Sequence, residues 1–146
     1  MSQLLKNIKM SVGYTLIASA NNTDQKTAVL DTSEFDGVIF ATTITADTSG
    51  GVATLDVHGD TASSGATSAL ITGATATKTS TGSTLAGGML VVDVHKPLKR
   101  YVLGRIQSAT QVITFGPTIA IQYHAHNKPT IQDVATVLAS ASVVGS

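Results

Sequence analysis

The sequence predicts an all-β fold: an antiparallel β-sandwich, jelly-roll-like, of about seven or eight short strands with extended or short helical terminal arms. Three observations carry this. From Met89 to Tyr123 the segments MLVVDV, RYVLGRIQ and QVITFGPTIAIQY follow one another with short polar breaks and alternate at a period of two. Turn residues recur at regular spacing along the rest of the chain. Helical periodicity has little part in the body.

The elements follow in order. Gly13 to Ser19 and Lys26 to Leu30 alternate apolar and polar residues around the turn cluster Asn21–Asn22–Thr23–Asp24, which reads as a hairpin or a strand exchange. After the turn dipeptide Asp36–Gly37, the run VIFATTITA is β-branched and aromatic, and both of its faces look partly covered. Ser49–Gly50–Gly51 leads into VATLDVHGD, a half-buried strand with Leu55 and Val57 on one side and Asp56 and His58 on the other. Residues 61–87 form a Ser/Thr/Ala/Gly tract that reads as one weak strand, Ala69 to Thr72, inside a long surface loop. Pro97 falls in a connection, and Gly116–Pro117 predicts a bulge in the last long strand.

This division gives an N-terminal arm (1–12), a sandwich domain (13–128) and a C-terminal arm (129–146). Pro129–Thr130 with Asp133 resembles a helix start that would set Ile131, Val134, Ala135 and Leu138 on one face. An extended arm fits almost as well. Both ends are apolar and too short to form a core alone, so they are expected to dock on something.

Composition narrows the function. The chain has 146 residues, enough for one domain with its own core, and no cysteine. Its charged fraction of 12% is about half the usual share of roughly 25%, so Thr, Ser, Asn and Gln must finish a surface that can be covered by a partner at modest cost. A net charge of zero removes the long-range term that drives nucleic-acid binding. Lys6 and Lys9 interrupt the apolar N-terminal stretch, so no secretory run is expected, and no segment approaches the roughly 20 apolar residues of a membrane span. The expected partners therefore include no nucleic acid, no membrane and no small-molecule substrate.

Candidate chemistry is thin. His124 and His126 would share a strand face, but no third ligand lies nearby in sequence, and a metal would need copies meeting at a symmetry axis. Asp-Val-His occurs twice, at Asp56–Val57–His58 and Asp93–Val94–His95. Asp beside His is the orienting half of a catalytic triad, yet no Gly-x-Ser-x-Gly elbow accompanies it. The loop glycines lack the order of a phosphate-binding loop. No catalytic, metal or cofactor residue is assigned, no cofactor is expected, and the protein is expected not to be an enzyme. Lys96, Lys99, Arg100 and Arg105 form one basic neighbourhood around Tyr101, expected to meet carboxylates of a neighbouring subunit.

The run VVDVHKPLKRYVLGRI, the strand end TLDVHGD and the opening TAVLDTSEFDGVIFATTI are similar to the small β-sandwich decoration or cement proteins of tailed bacteriophages. The likeness covers roughly residues 13 to 124 and is one of pattern and composition. It implies a virion protein made in the host cytoplasm that binds the outer surface of the head as a trimer and clamps neighbouring major capsid subunits. The interface candidates are Leu4, Leu5 and Ile8, the group Lys99, Arg100, Tyr101 and Arg105, and Ile131, Val134 and Leu138. The rivals are a head fibre base, a tail component, or a carbohydrate-binding module; the last is weakened by an aromatic fraction of 4% without tryptophan.

Overall fold

The computed structural model describes residues 6–14 and 17–126. They form nine strands: β1 (Lys9–Tyr14), β2 (Asp24–Lys26), β3 (Leu30–Asp31), β4 (Phe35–Asp47), β5 (Val52–Asp60), β6 (Ala69–Thr79), β7 (Met89–His95), β8 (Tyr101–Ala109) and β9 (Ile113–Ala125). One sheet has the order β1-β9-β4-β7. The other has the order β2-β8-β5-β6, with β3 also on β8. All pairings are antiparallel. With β2 and β3 counted as one interrupted strand, this is the eight-stranded jelly roll that the alternation predicts.

The two inner faces make the core. Val38, Phe40, Leu55, Val57, Val102, Ile106, Ile113 and Phe115 are all fully buried there, and β7 adds Leu90, Val92 and Val94 from alternate positions. Two threonines share this apolar layer. Thr118 Oγ1 donates to Thr42 Oγ1 at 2.9 Å, and both residues are completely buried. Each hydroxyl makes the other tolerable, since an unpaired one in this setting costs about 1–3 kcal/mol.

Several expectations are corrected. Of the two readings of the opening segment, the strand exchange holds and the hairpin does not: β1 pairs with β9 while β2 and β3 pair with β8, so the chain crosses between sheets. The sandwich begins at Lys9, inside the span assigned to the N-terminal arm. Asp36–Gly37 is not a turn but lies within β4, in register with both β7 and β9. The weak strand of the Ser/Thr tract is the 11-residue β6, with a bulge around Gly73 (φ +83°) opposite Asp56–His58. The bulge at Gly116–Pro117 is present: Thr42 faces Thr118 while Ile44 faces Phe115, leaving one extra residue on β9.

The loops around β6 are built on two carboxylates. Asp60 Oδ1 accepts from Ala62 N (3.0 Å) and Thr67 Oγ1 (2.9 Å), and its Oδ2 accepts from Thr67 N (3.0 Å). This folds residues 61–68 over the outer face of β5 and β8, where Gly65 (φ +66°) sits on Leu103 and Val29 with no room for a Cβ. Leu103 and His58, on the solvent side of their sheet, are buried in consequence, so the far half of β5 is covered on both faces. Asp47 does the same for residues 80–88, accepting from Ser80 Oγ, Leu85 N (3.1 Å) and Ala86 N (3.0 Å).

The threonine pair gives a direct test of the core. Thr42→Val orphans the Thr118 hydroxyl and is expected to lower unfolding free energy in urea by about 1–3 kcal/mol, whereas Thr42→Val with Thr118→Val restores most of the loss.

Candidate functional surfaces

The two sheets differ in what they show to the outside. On the β2-β8-β5-β6 sheet the outward rows are Thr77–Thr54–Gln107–Asp24 and Thr75–Asp56–Arg105–Lys26. On the other sheet they are Val12–Ile119–Ala41–Val91 and Met10–Ile121–Ile39–Asp93. In these rows one outer face is polar and the other is apolar apart from Asp93, while the next rows, Thr79–Val52–Ala109 on the first sheet and Thr43–Met89 on the second, are mixed. Ile39, Ala41, Ile119 and Ile121 are half-buried, and Val91 and Met89 are exposed at 48% and 60%. Apolar side chains thus lie side by side across four strands of this face.

A polar cluster closes one end of this apolar face. Tyr123 on β9 crosses β4 at Gly37, where any Cβ would collide with its ring, and its hydroxyl donates to Asp93 Oδ1 on β7 at 2.7 Å. His95 stacks on the same ring, with its Nδ1 3.4 Å from the hydroxyl. Burial first, and then the bond to Asp93, push the Tyr123 phenol up to about 12. On the other side Asp36 receives both histidines of the β9 end: His126 Nε2 at 3.0 Å and His124 Nδ1 at 3.6 Å. The hydrogen bond from His126 holds Asp36 below the usual carboxylate range. A surface pocket of about 600 Å³ lies between the two groups, floored by Ile8 and Ile39. Fold proximity supplies the acidic neighbour that the spacing of His124 and His126 did not reveal. Among the described residues no group of three or more His, Asp or Glu is placed to hold a metal.

The other Asp-Val-His is buried. Asp56 and His58 are 8% and 7% exposed, and Asp56 Oδ1 lacks a hydrogen-bond partner. With its amide turned to suit its neighbours, Gln107 donates to Asp56 Oδ2 (3.0 Å) and accepts from Arg105 (3.3 Å). Burial is the main cause lowering the His58 pKa. Among the described residues no serine hydroxyl bonds to either repeat's imidazole, so neither has the geometry of a triad.

The two arginines of the basic neighbourhood pair with carboxylates of their own chain. Arg100 makes a two-pronged pair with Asp31 (3.0 and 2.8 Å), and Arg105 makes one with Asp24 (2.7 Å on both prongs). The guanidinium fork matches a carboxylate in plane, so the facing strand supplies the better partner. Arg100 also lies 5.2 Å from the Tyr101 ring centre. The stem of Lys99 packs on Gly59. Ile8 is buried in its own chain at 7%. Leu4, Leu5, Ile131, Val134 and Leu138 lie outside the described residues.

No family model matches the sequence, and no curated protein matches it. Solved structures do share the fold. A chain in the structure of infectious bursal disease virus, Gt strain, aligns with a TM-score of 0.50 and 7% identity over 85% of this chain and 34% of that one. The corresponding figures for the Gx strain are 0.48, 10%, 84% and 33%. For dimeric latent PorU from Porphyromonas gingivalis they are 0.42, 12%, 86% and 13%. This chain spans about a third or less of each, and at 7% identity the likeness to the Gt-strain chain is one of fold alone.

Two titrations follow. The unfolded chain takes up a proton at His58 near pH 6.5 that the folded chain refuses, so this residue costs stability as pH falls below 6.5. His58→Gln should narrow the drop in melting temperature between pH 7.5 and 5.5 relative to the wild type. Asp93→Asn should lower the pH at which the Tyr123 phenolate absorbance develops, because the carboxylate that opposes ionisation is gone.

Proposed function

We propose that the protein is a structural component of a virion, and in particular a decoration or cement protein that binds the outside of a tailed-phage head as a trimer. The observation that carries this reading is the apolar outer face of the β1-β9-β4-β7 sheet, set against the polar outer face of its partner. A solitary soluble domain would hydrate both outer faces; a shell component covers one permanently.

The mechanism is cohesion without turnover, and the protein is proposed not to be an enzyme. Each copy contributes apolar and weakly polar area to contacts between major capsid subunits. Binding to the assembled shell then raises its stability by mass action over many equivalent sites. Low charge favours this role, because little hydration must be stripped from the buried surface. The sandwich likeness to a chain of a virus structure and the pattern shared with phage decoration proteins support the same reading.

Purified protein mixed with heads of the encoding phage that lack it should cosediment, saturate at a fixed copy number and raise the temperature at which the heads rupture. Ile39→Lys or Ile121→Lys on the apolar face should abolish this without unfolding the protein. Absence of the protein from purified virions by mass spectrometry would overturn the reading, and gold labelling confined to the tail would move it to another virion position.

A further inference from the structure

We propose that the flank formed by β6 and β7 is where a second copy of this chain docks, with the free edge of β7 pairing antiparallel to β7 of its partner. The two strands are the outer edges of their sheets on the same side of the sandwich. Of the large apolar side chains exposed among the described residues, Leu70, Met89, Val91 and Leu98 lie on these strands or on the loop leaving β7. Leu98 is completely exposed, beside an apolar groove of about 360 Å³ lined by Leu70 and Ile71.

The backbone of β7 is open as well. Lys96 N donates to Asp36 O (2.6 Å), and Ile44 N donates to Gly88 O (2.9 Å). The even residues of β7 therefore bond to β4, while Met89, Val91, Asp93 and His95 turn their N–H and C=O groups outward. No other described strand takes them.

Other edges carry the devices that prevent such pairing. β2 is three residues long. β6 is bulged at Gly73 and bears Lys78. β1 carries Lys9 and a register irregularity near Gly13. β7 has no bulge, lysine or proline over its seven residues.

A second copy is the occupant that the flank fits. It carries both signs of charge, Asp93 on β7 and Lys96 just beyond it, so a copy turned about a two-fold axis meets no field of a single sign. The chain's zero net charge opposes no approach. The flank is about 36 Å long from the strand rise over β6 and roughly 20 Å wide across two sheets, or about 700 Å². A stable interface takes roughly 800 Å² per partner.

Light scattering on the full chain free in solution, away from the head that would impose the proposed three-fold arrangement, should give twice the 14.9 kDa of one copy, and a trimer there would overturn the two-fold pairing. Val91→Lys, which sets a cation on the edge, and Leu98→Glu, in a loop position that cannot disturb the core, should each halve that mass with circular dichroism unchanged. Val112→Lys, exposed on a different hairpin, should leave it intact. A monomeric wild type, or an assembly of any size that both flank variants leave unaltered, overturns the proposal. Val91 belongs to the apolar face as well, whereas Leu98 lies outside its rows, so loss of the dimer in Leu98→Glu with head binding retained separates this proposal from the head-binding reading.

Discussion

The pairing of β4 with β9 is the contact on which the rest depends. Each is 13 residues long, and together they occupy the middle of one sheet. Their inner side chains, Phe40, Phe115, Ala120 and the Thr42–Thr118 pair, close the core against β5 and β8. Their outer side chains form the apolar surface, and their ends at Asp36 and His126 carry the polar cluster. One pair of strands thus supplies core, apolar outer face and polar end cluster, and it can because alternate residues along a strand point to opposite sides.

The sandwich class and the strands from Met89 onward were legible in the sequence because they alternate strictly and are bounded by turn residues. The apolar outer face was half legible, since the run from Val38 to Ala46 looked covered on both sides. That could not be tied to Ile119 and Ile121 without the register. The 61–88 region was misjudged because its order comes from single carboxylates, Asp60 and Asp47, accepting backbone N–H groups across a loop. Such bonds leave no periodic trace. Asp36–Gly37 misled for a related reason: a glycine demanded by the passing Tyr123 ring looks the same in sequence as one demanded by a turn.

The candidate site divided along the same line. Sequence identified the two Asp-Val-His repeats and the His124–His126 pair but not their neighbours. The structure buries one repeat under a loop and links the other through Tyr123, a residue that sequence reading passed over. Tyr123 and Gly37 form a pair only in the register of β4 with β9. Arg100 and Arg105 likewise found carboxylates 69 and 81 residues away in the same chain, separations that no local pattern reports.

The position of β9 also orders events in time. It lies between β1 and β4, yet it is the last described strand to leave the ribosome. Until it inserts, β1 has no sheet to join, the outer and inner faces of β4 are both open on one side, and the core lacks Ile113 and Phe115. Completing the fold is therefore a single late closure between distant parts of the chain, the kind of step that makes sandwiches slow folders. During that wait the nascent chain shows water its aliphatic strands with few aromatic side chains among them, separated by stretches of threonine, serine and alanine. A composition suited to being covered in the finished state is also one that keeps the unfinished chain from sticking to its neighbours.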